Sequence, residues 1–136
     1  MDGYTLNDEG DSEKRWENIA KAIQRMIKDY KIDFVIPYGT AVESIRKTCL
    51  NDQYDLTRDG THLARCLGAY IAGCCLYQTI FAQRFNRNIV ANSYRITDPN
   101  AEISQGVHNV TDYNSQYVQR IVMSACNDMF RICEVL

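Results

Sequence analysis

The sequence predicts an α/β fold, rich in helix and with few parallel strands. Three observations carry this: an amphipathic pattern beginning at Ser12, a short β-branched and aromatic run directly behind it, and a segment over 62–83 that is apolar nearly all round. In the first, Trp16, Ile19, Ala20, Ile23, Met26, Ile27 and Tyr30 recur at helical spacing, with Asp11 or Ser12 available as N-cap. The run Ile32-Asp33-Phe34-Val35-Ile36, closed by Pro37, has the composition of a buried parallel strand. Helix followed by strand is half of an α/β unit.

Beyond the strand, Tyr38-Gly39-Thr40 is expected to turn the chain into a short helix over Ala41–Lys47, with Val42 and Ile45 inward. Residues 48–61 read as a polar loop holding Asp52, Asp55, Arg58 and Asp59 and ending at Gly60; loops of that length are often functional. The strongest helix is expected over His62–Gln83, with Leu63, Leu67, Tyr70, Ile71, Cys74, Gln78 and Phe81 on one face. Asp98-Pro99 has the form of an N-cap followed by proline at the first helical position, opening a weak helix that Gly106 ends. A last helix is expected from Tyr113 to Glu134, with Tyr117, Val118, Ile121, Val122, Ala125, Met129 and Ile132 inward. A parallel strand cannot satisfy its backbone alone. Either a second strand lies in Ile89–Arg95 or another copy of the chain supplies the neighbour, which makes a homo-oligomer one expectation.

Length and charge narrow the function. The 136 residues, 46% hydrophobic and 24% charged, suffice for one domain over 12–136 behind a flexible lead-in, 1–11, that carries two glycines and four acids. A net charge of -2 lacks the basic excess that drives phosphate-backbone binding, so no nucleic-acid partner is expected. The longest apolar run, Leu67–Phe81, is interrupted by Gln78 and falls short of the ~20 residues of a bilayer span. No membrane association is expected, and the acidic N-terminus is unlike a secretion signal, which predicts a cytoplasmic chain as written. The six cysteines sit mostly at core-facing helical positions and read as reduced thiols. Without a Cys-x-x-Cys pair and with only two histidines, neither a metal nor a cofactor is expected.

The sharpest local feature is Leu56-Thr57-Arg58-Asp59-Gly60-Thr61-His62-Leu63, where Asp59 precedes His62 by three residues across a glycine turn. An aspartate so placed can accept a hydrogen bond from His62 Nδ1, fixing the tautomer and leaving Nε2 to take a proton from a nucleophile. The same spacing also describes a plain helix N-cap beside an incidental histidine. Tyr38, Gly39 and Thr40 follow the C-terminal end of the expected strand, the edge where α/β proteins bind ligands, so they are candidate substrate-binding residues; an ordinary strand-to-helix turn is the alternative. His108 reads as a surface or core-edge histidine. Asn109-Val110-Thr111 is a glycosylation sequon that has no use without secretion.

The segments Ile32 to Ala41, Leu56 to Leu63, Gly68-Ala69-Tyr70-Ile71-Ala72-Gly73-Cys74 and Ala91-Asn92-Ser93-Tyr94 together resemble the C-terminal part of a bacterial SGNH (GDSL-like) hydrolase family of unknown specificity. The resemblance spans roughly Trp16 to Tyr94, and Thr57 to Leu63 is its most specific element. It implies a flavodoxin-like α/β/α sandwich, here a partial unit, and serine-dependent hydrolysis of acyl esters, often on carbohydrate or lipid. It assigns Asp59 and His62 as acid and base, and it leaves secretion open for full-length relatives. That superfamily keeps its nucleophilic serine and oxyanion-hole residues well upstream of the histidine loop, and this chain has little sequence there. Gly10-Asp11-Ser12 spells the familiar tripeptide, but no apolar strand precedes it, so Ser12 reads as a helix cap. Ser44, Ser93, Ser104, Ser115 and Ser124 lack the setting too. The expectation is an acid–base half whose nucleophile half is missing from this chain; a non-catalytic interaction module derived from the same fold is the rival.

Overall fold

Helix α1 covers Ser12–Asp29, with Glu13 in its first turn and Lys28 in its last, charges that complement the helix dipole. On its exposed side Lys21 pairs with Glu17 one turn earlier, at 3.4 Å. The computed structural model describes residues 12–59, 62–101 and 106–133, and it divides into two compact units, Met1–Asp33 and Phe34–Leu136. Helix α1 belongs to the first.

The second unit holds the other elements: α2 (Tyr38–Arg46), β1 (Arg65–Cys66), α3 (Leu67–Ile80), β2 (Val107–His108) and α4 (Asp112–Asn127). It is a helix-rich, partial α/β unit. The two strands are parallel, with Arg65 opposite Val107 and Cys66 opposite His108, so β1, α3 and β2 form one strand–helix–strand crossover. At the corner between β1 and α3, Cys66 takes a positive φ of 58°, which turns strand into helix within one residue. The core lies where α2, α3 and α4 meet, around Ile45, Leu50, Leu67, Ile71, Val118 and Val122, all fully buried. Cys74 and Cys75 belong to that core, and no helix among the described residues is long and apolar enough to cross a membrane.

Several expectations are corrected here. Residues 32–36 form no strand, and Phe34 and Ile36 are 61% and 40% exposed. The run pairs with neither strand of the two-stranded sheet, and its end is drawn into α2 instead: the Tyr38 N–H donates to the Ile36 carbonyl at 2.8 Å and the Ala41 N–H to the Pro37 carbonyl at 3.0 Å. Residues 89–95 are not a strand either. They form an irregular loop pinned by Gln119, whose buried side chain accepts from the Ala91 N–H (2.7 Å) and donates to the Tyr70 hydroxyl (2.7 Å) and the Asn92 carbonyl (3.1 Å). Ala91 holds a φ of 62°, a left-handed conformation that those bonds maintain.

The helices match their patterns better than their ends do. Tyr38, Gly39 and Thr40 are not a turn but the first turn of α2, which Pro37 precedes as N-cap. The long apolar helix begins at Leu67 rather than His62, because residues 56–64 fold back on themselves, and it ends at Ile80, so Phe81 is 40% exposed. Helix α4 stops at Asn127. The weak helix after Pro99 lies in part outside the described residues; within them, Asp98 accepts from the Asn100 N–H at 2.8 Å in a turn.

Candidate functional site

Leu56 and Ala64, both buried, fix the two ends of a hairpin-like loop. The Ala64 N–H donates to the Leu56 carbonyl (3.1 Å), Thr57 and Leu63 form an antiparallel bridge, and the Arg58 N–H donates to the His62 carbonyl (2.9 Å). Asp59 and His62 are thereby brought together at the tip. Gly60, expected to permit the fold-back, and Thr61 lie outside the described residues.

Both oxygens of Asp59 are used on His62. Oδ1 accepts the His62 backbone N–H at 2.7 Å, and Oδ2 lies 2.7 Å from the ring Nδ1. A carboxylate is only an acceptor, so in this bond Nδ1 carries the proton and Nε2 of the neutral ring keeps its lone pair. The side chains of His62 and Asp59 are 64% and 50% exposed, within reach of an outside group. The arrangement can orient an imidazole and take up a proton at Nε2.

Two contacts seat this loop on the sheet. The Arg65 N–H donates to the Gly106 carbonyl at 2.9 Å, and Gly106, with φ +67°, packs so closely on Arg58 that an added Cβ would stand 2.5 Å from the Arg58 Cβ. Only glycine fits. The second contact was not legible in the sequence: His108 Nε2 accepts the Asp55 N–H at 3.0 Å, with the Asp55 carboxylate 3.5 Å from the same nitrogen. Its ring stands edge-on to Tyr54, centroids 5.5 Å apart. His108 thus anchors the segment leading into the candidate loop. Its only sequence signal is that Asp55 and His108 carry complementary groups, and 53 residues separate them.

The other candidates sit on α2. The Thr40 hydroxyl donates to the Met129 carbonyl, and the Tyr38 ring packs against the core, where burial pushes its phenol up to about 12. Ser12 is the first residue of α1. A separate cavity of about 530 Å³ opens between α3 and the 87–96 segment, lined among others by Tyr70, Cys74, Tyr77, Ile89 and Asn92. Neither Asp59 and His62 nor Tyr38, Gly39 and Thr40 line it.

A family model described as a domain of unknown function, DUF4886, matches residues 2–114. The chain belongs to the DUF4886 family. No curated protein and no solved structure matches it. The DUF4886 match takes in α1, α2, α3, both strands and the whole Asp59–His62 loop, and it ends in the first turn of α4.

Proposed function

We propose that this DUF4886 chain carries the acid–base half of a serine-dependent ester hydrolase of the SGNH type, with the serine and oxyanion donors supplied from outside the chain. The single observation that supports the reading is the 2.7 Å contact between Asp59 Oδ2 and His62 Nδ1. In this role Asp59 holds the imidazole in the tautomer that frees Nε2, and His62 takes the proton of an attacking hydroxyl and later returns it to the leaving alcohol. The substrate is an acyl ester, in line with the resemblance noted from the sequence. A second reading has its own observation. Asp59 Oδ1 also accepts the His62 backbone N–H, a bond that would serve a purely structural turn in a non-catalytic module.

The deciding assay is turnover of p-nitrophenyl acetate. The purified chain alone is expected to give no appreciable activity, because members of such a triad act as a unit and losing one already costs on the order of a thousandfold or more. Joined to a serine-bearing strand–turn–helix segment of an SGNH-type hydrolase, it is expected to gain turnover that His62→Ala abolishes and Asp59→Asn lowers by about ten-thousandfold. Turnover by the chain alone that a serine-directed fluorophosphonate blocks would show a nucleophile within it. Joined activity indifferent to His62→Ala would leave the structural reading.

A further inference from the structure

We propose that the cavity of about 530 Å³ between α3 and the 87–96 segment binds a medium-chain fatty carboxylate, its hydrocarbon tail laid along α3 and its carboxylate on Arg87. Asp59 and His62 do not line it, so the site stands whether or not they act as acid and base. A glycine marks the space. Where Gly68 and Gly106 lack a Cβ, the Leu63 and Arg58 Cβ atoms stand at 3.2 and 2.5 Å, whereas at Gly73 nothing among the described residues lies within 4 Å. A glycine inside a helix weakens it relative to alanine, and no close packing asks for one here. The room left by Gly73 belongs to the cavity it lines.

The shape suits a chain. Ala69, Gly73 and Tyr77 follow one another at one-turn intervals on α3 and give the cavity a floor of about 12 Å at the helical rise. A straight chain of about ten carbons has that length, and a single ring would fill only part of it. Ile89, Val90 and Ile96 add apolar wall. Val90 and Tyr94, 44% and 68% exposed, also line the cavity and are surface that a bound tail would take from water. Asn86 (φ 50°) and Ala91 (φ 62°) hold left-handed conformations on either side of residues 87–90, and Gln119 pins the second. The wall is therefore shaped without a ligand, which spares binding the cost of ordering it.

Hydrogen bonding selects the head group. The Tyr70 hydroxyl donates to Asn92 Oδ1 (3.2 Å) and accepts from Gln119 Nε2 (2.7 Å). The Ile89, Val90 and Ala91 N–H groups donate to the side chains of Gln78, Asn88 and Gln119, and the Asn92 amide donates to the Ile89 carbonyl. These donors are spent, so an uncharged polar ligand gains little from them. Arg87 differs. It lines the cavity, it is exposed, and among the described residues no carboxylate pairs with its guanidinium. A carboxylate is a group that a guanidinium can bind through two parallel hydrogen bonds.

The test titrates the full chain calorimetrically with sodium decanoate below its micelle concentration. One decanoate per chain is expected, with octanoate about tenfold weaker for the two methylenes lost. Arg87→Gln should weaken decanoate about fivefold and leave the neutral decanol unchanged. Gly73→Leu should abolish binding of both while the thermal midpoint of the free protein stays level or rises, because the new side chain enters open space and leucine is the better helix former. Unmutated protein gives an independent reading: in an amide NMR titration the signals of Gly73, Ile89, Val90 and Asn92 should move together with decanoate. The proposal is overturned by the absence of heat and of shifts at millimolar decanoate, or by shifts confined to other segments. Several decanoates per chain that ignore Gly73→Leu, or decanoate affinity that ignores Arg87→Gln, overturn it equally.

Discussion

At Gly106 two constraints meet in one residue: a φ of +67° and a missing Cβ that would stand 2.5 Å from that of Arg58. Neither atom in that clash is the far end of a flexible side chain, so Gly106→Ala has to move backbone on one side or the other. The expected loss is about 2 kcal/mol or more, measured as a lowered urea midpoint at unchanged slope. An alanine variant as stable as the parent would show that the loop does not need this close approach. Legibility at this scale follows sequence distance. Asp59 and His62 are three apart across a fold-back, so their pairing was written in the local pattern. His108 and Asp55 meet only because β2 lies beside β1, and a search along the chain had no means of joining them.

Among the elements, the patterns located helices and missed strands, and the same physics explains both. A helix satisfies its own backbone, so apolar spacing was enough to find α1, α3 and α4, although their ends were set by neighbours. A strand needs a partner beside it, and residues 32–36 have the right side chains but pair with neither strand among the described residues. The two short strands that do pair carry little of the expected composition. Helix α4 shows how a motif can be misread: Thr111, which ended an apparent sequon, is the N-cap. Its hydroxyl accepts from the Asn114 N–H (3.2 Å), while the Asn114 side chain accepts from the Thr111 N–H (2.9 Å). Asn109 is committed too, binding Asp98 through both ends of its amide. Thr111→Ala should cost about 1 kcal/mol, read as a drop of several degrees in Tm, and a variant with the parent Tm would remove the cap from the list of forces holding α4.

For the molecule as a whole, the hydrophobic core draws every one of its residues from Tyr38 onward, all within the second unit. Residues 34–136 expressed alone should therefore unfold in one cooperative transition, with an enthalpy of about 70 kcal/mol, the ordinary value for a chain of this size. Calorimetry without a cooperative peak would mean that the core depends on residues before Phe34. Helix α1 lies outside that unit although its amphipathic pattern is as regular as that of any core helix. Periodicity reveals that a helix has an apolar face and is silent on what that face meets.

Asp59 and His62 share one short hairpin, closed by its own backbone bonds and by both oxygens of Asp59. Their separation is consequently an internal coordinate of the loop, insensitive to how the rest of the chain is arranged. In enzymes that draw acid and base from distant segments, a domain motion can spoil the distance between them; here a rigid displacement carries both together. In the proposed role, adjustment by a docking partner or a covalently joined segment would act on one remaining variable, the gap between His62 Nε2 and the group whose proton it would accept.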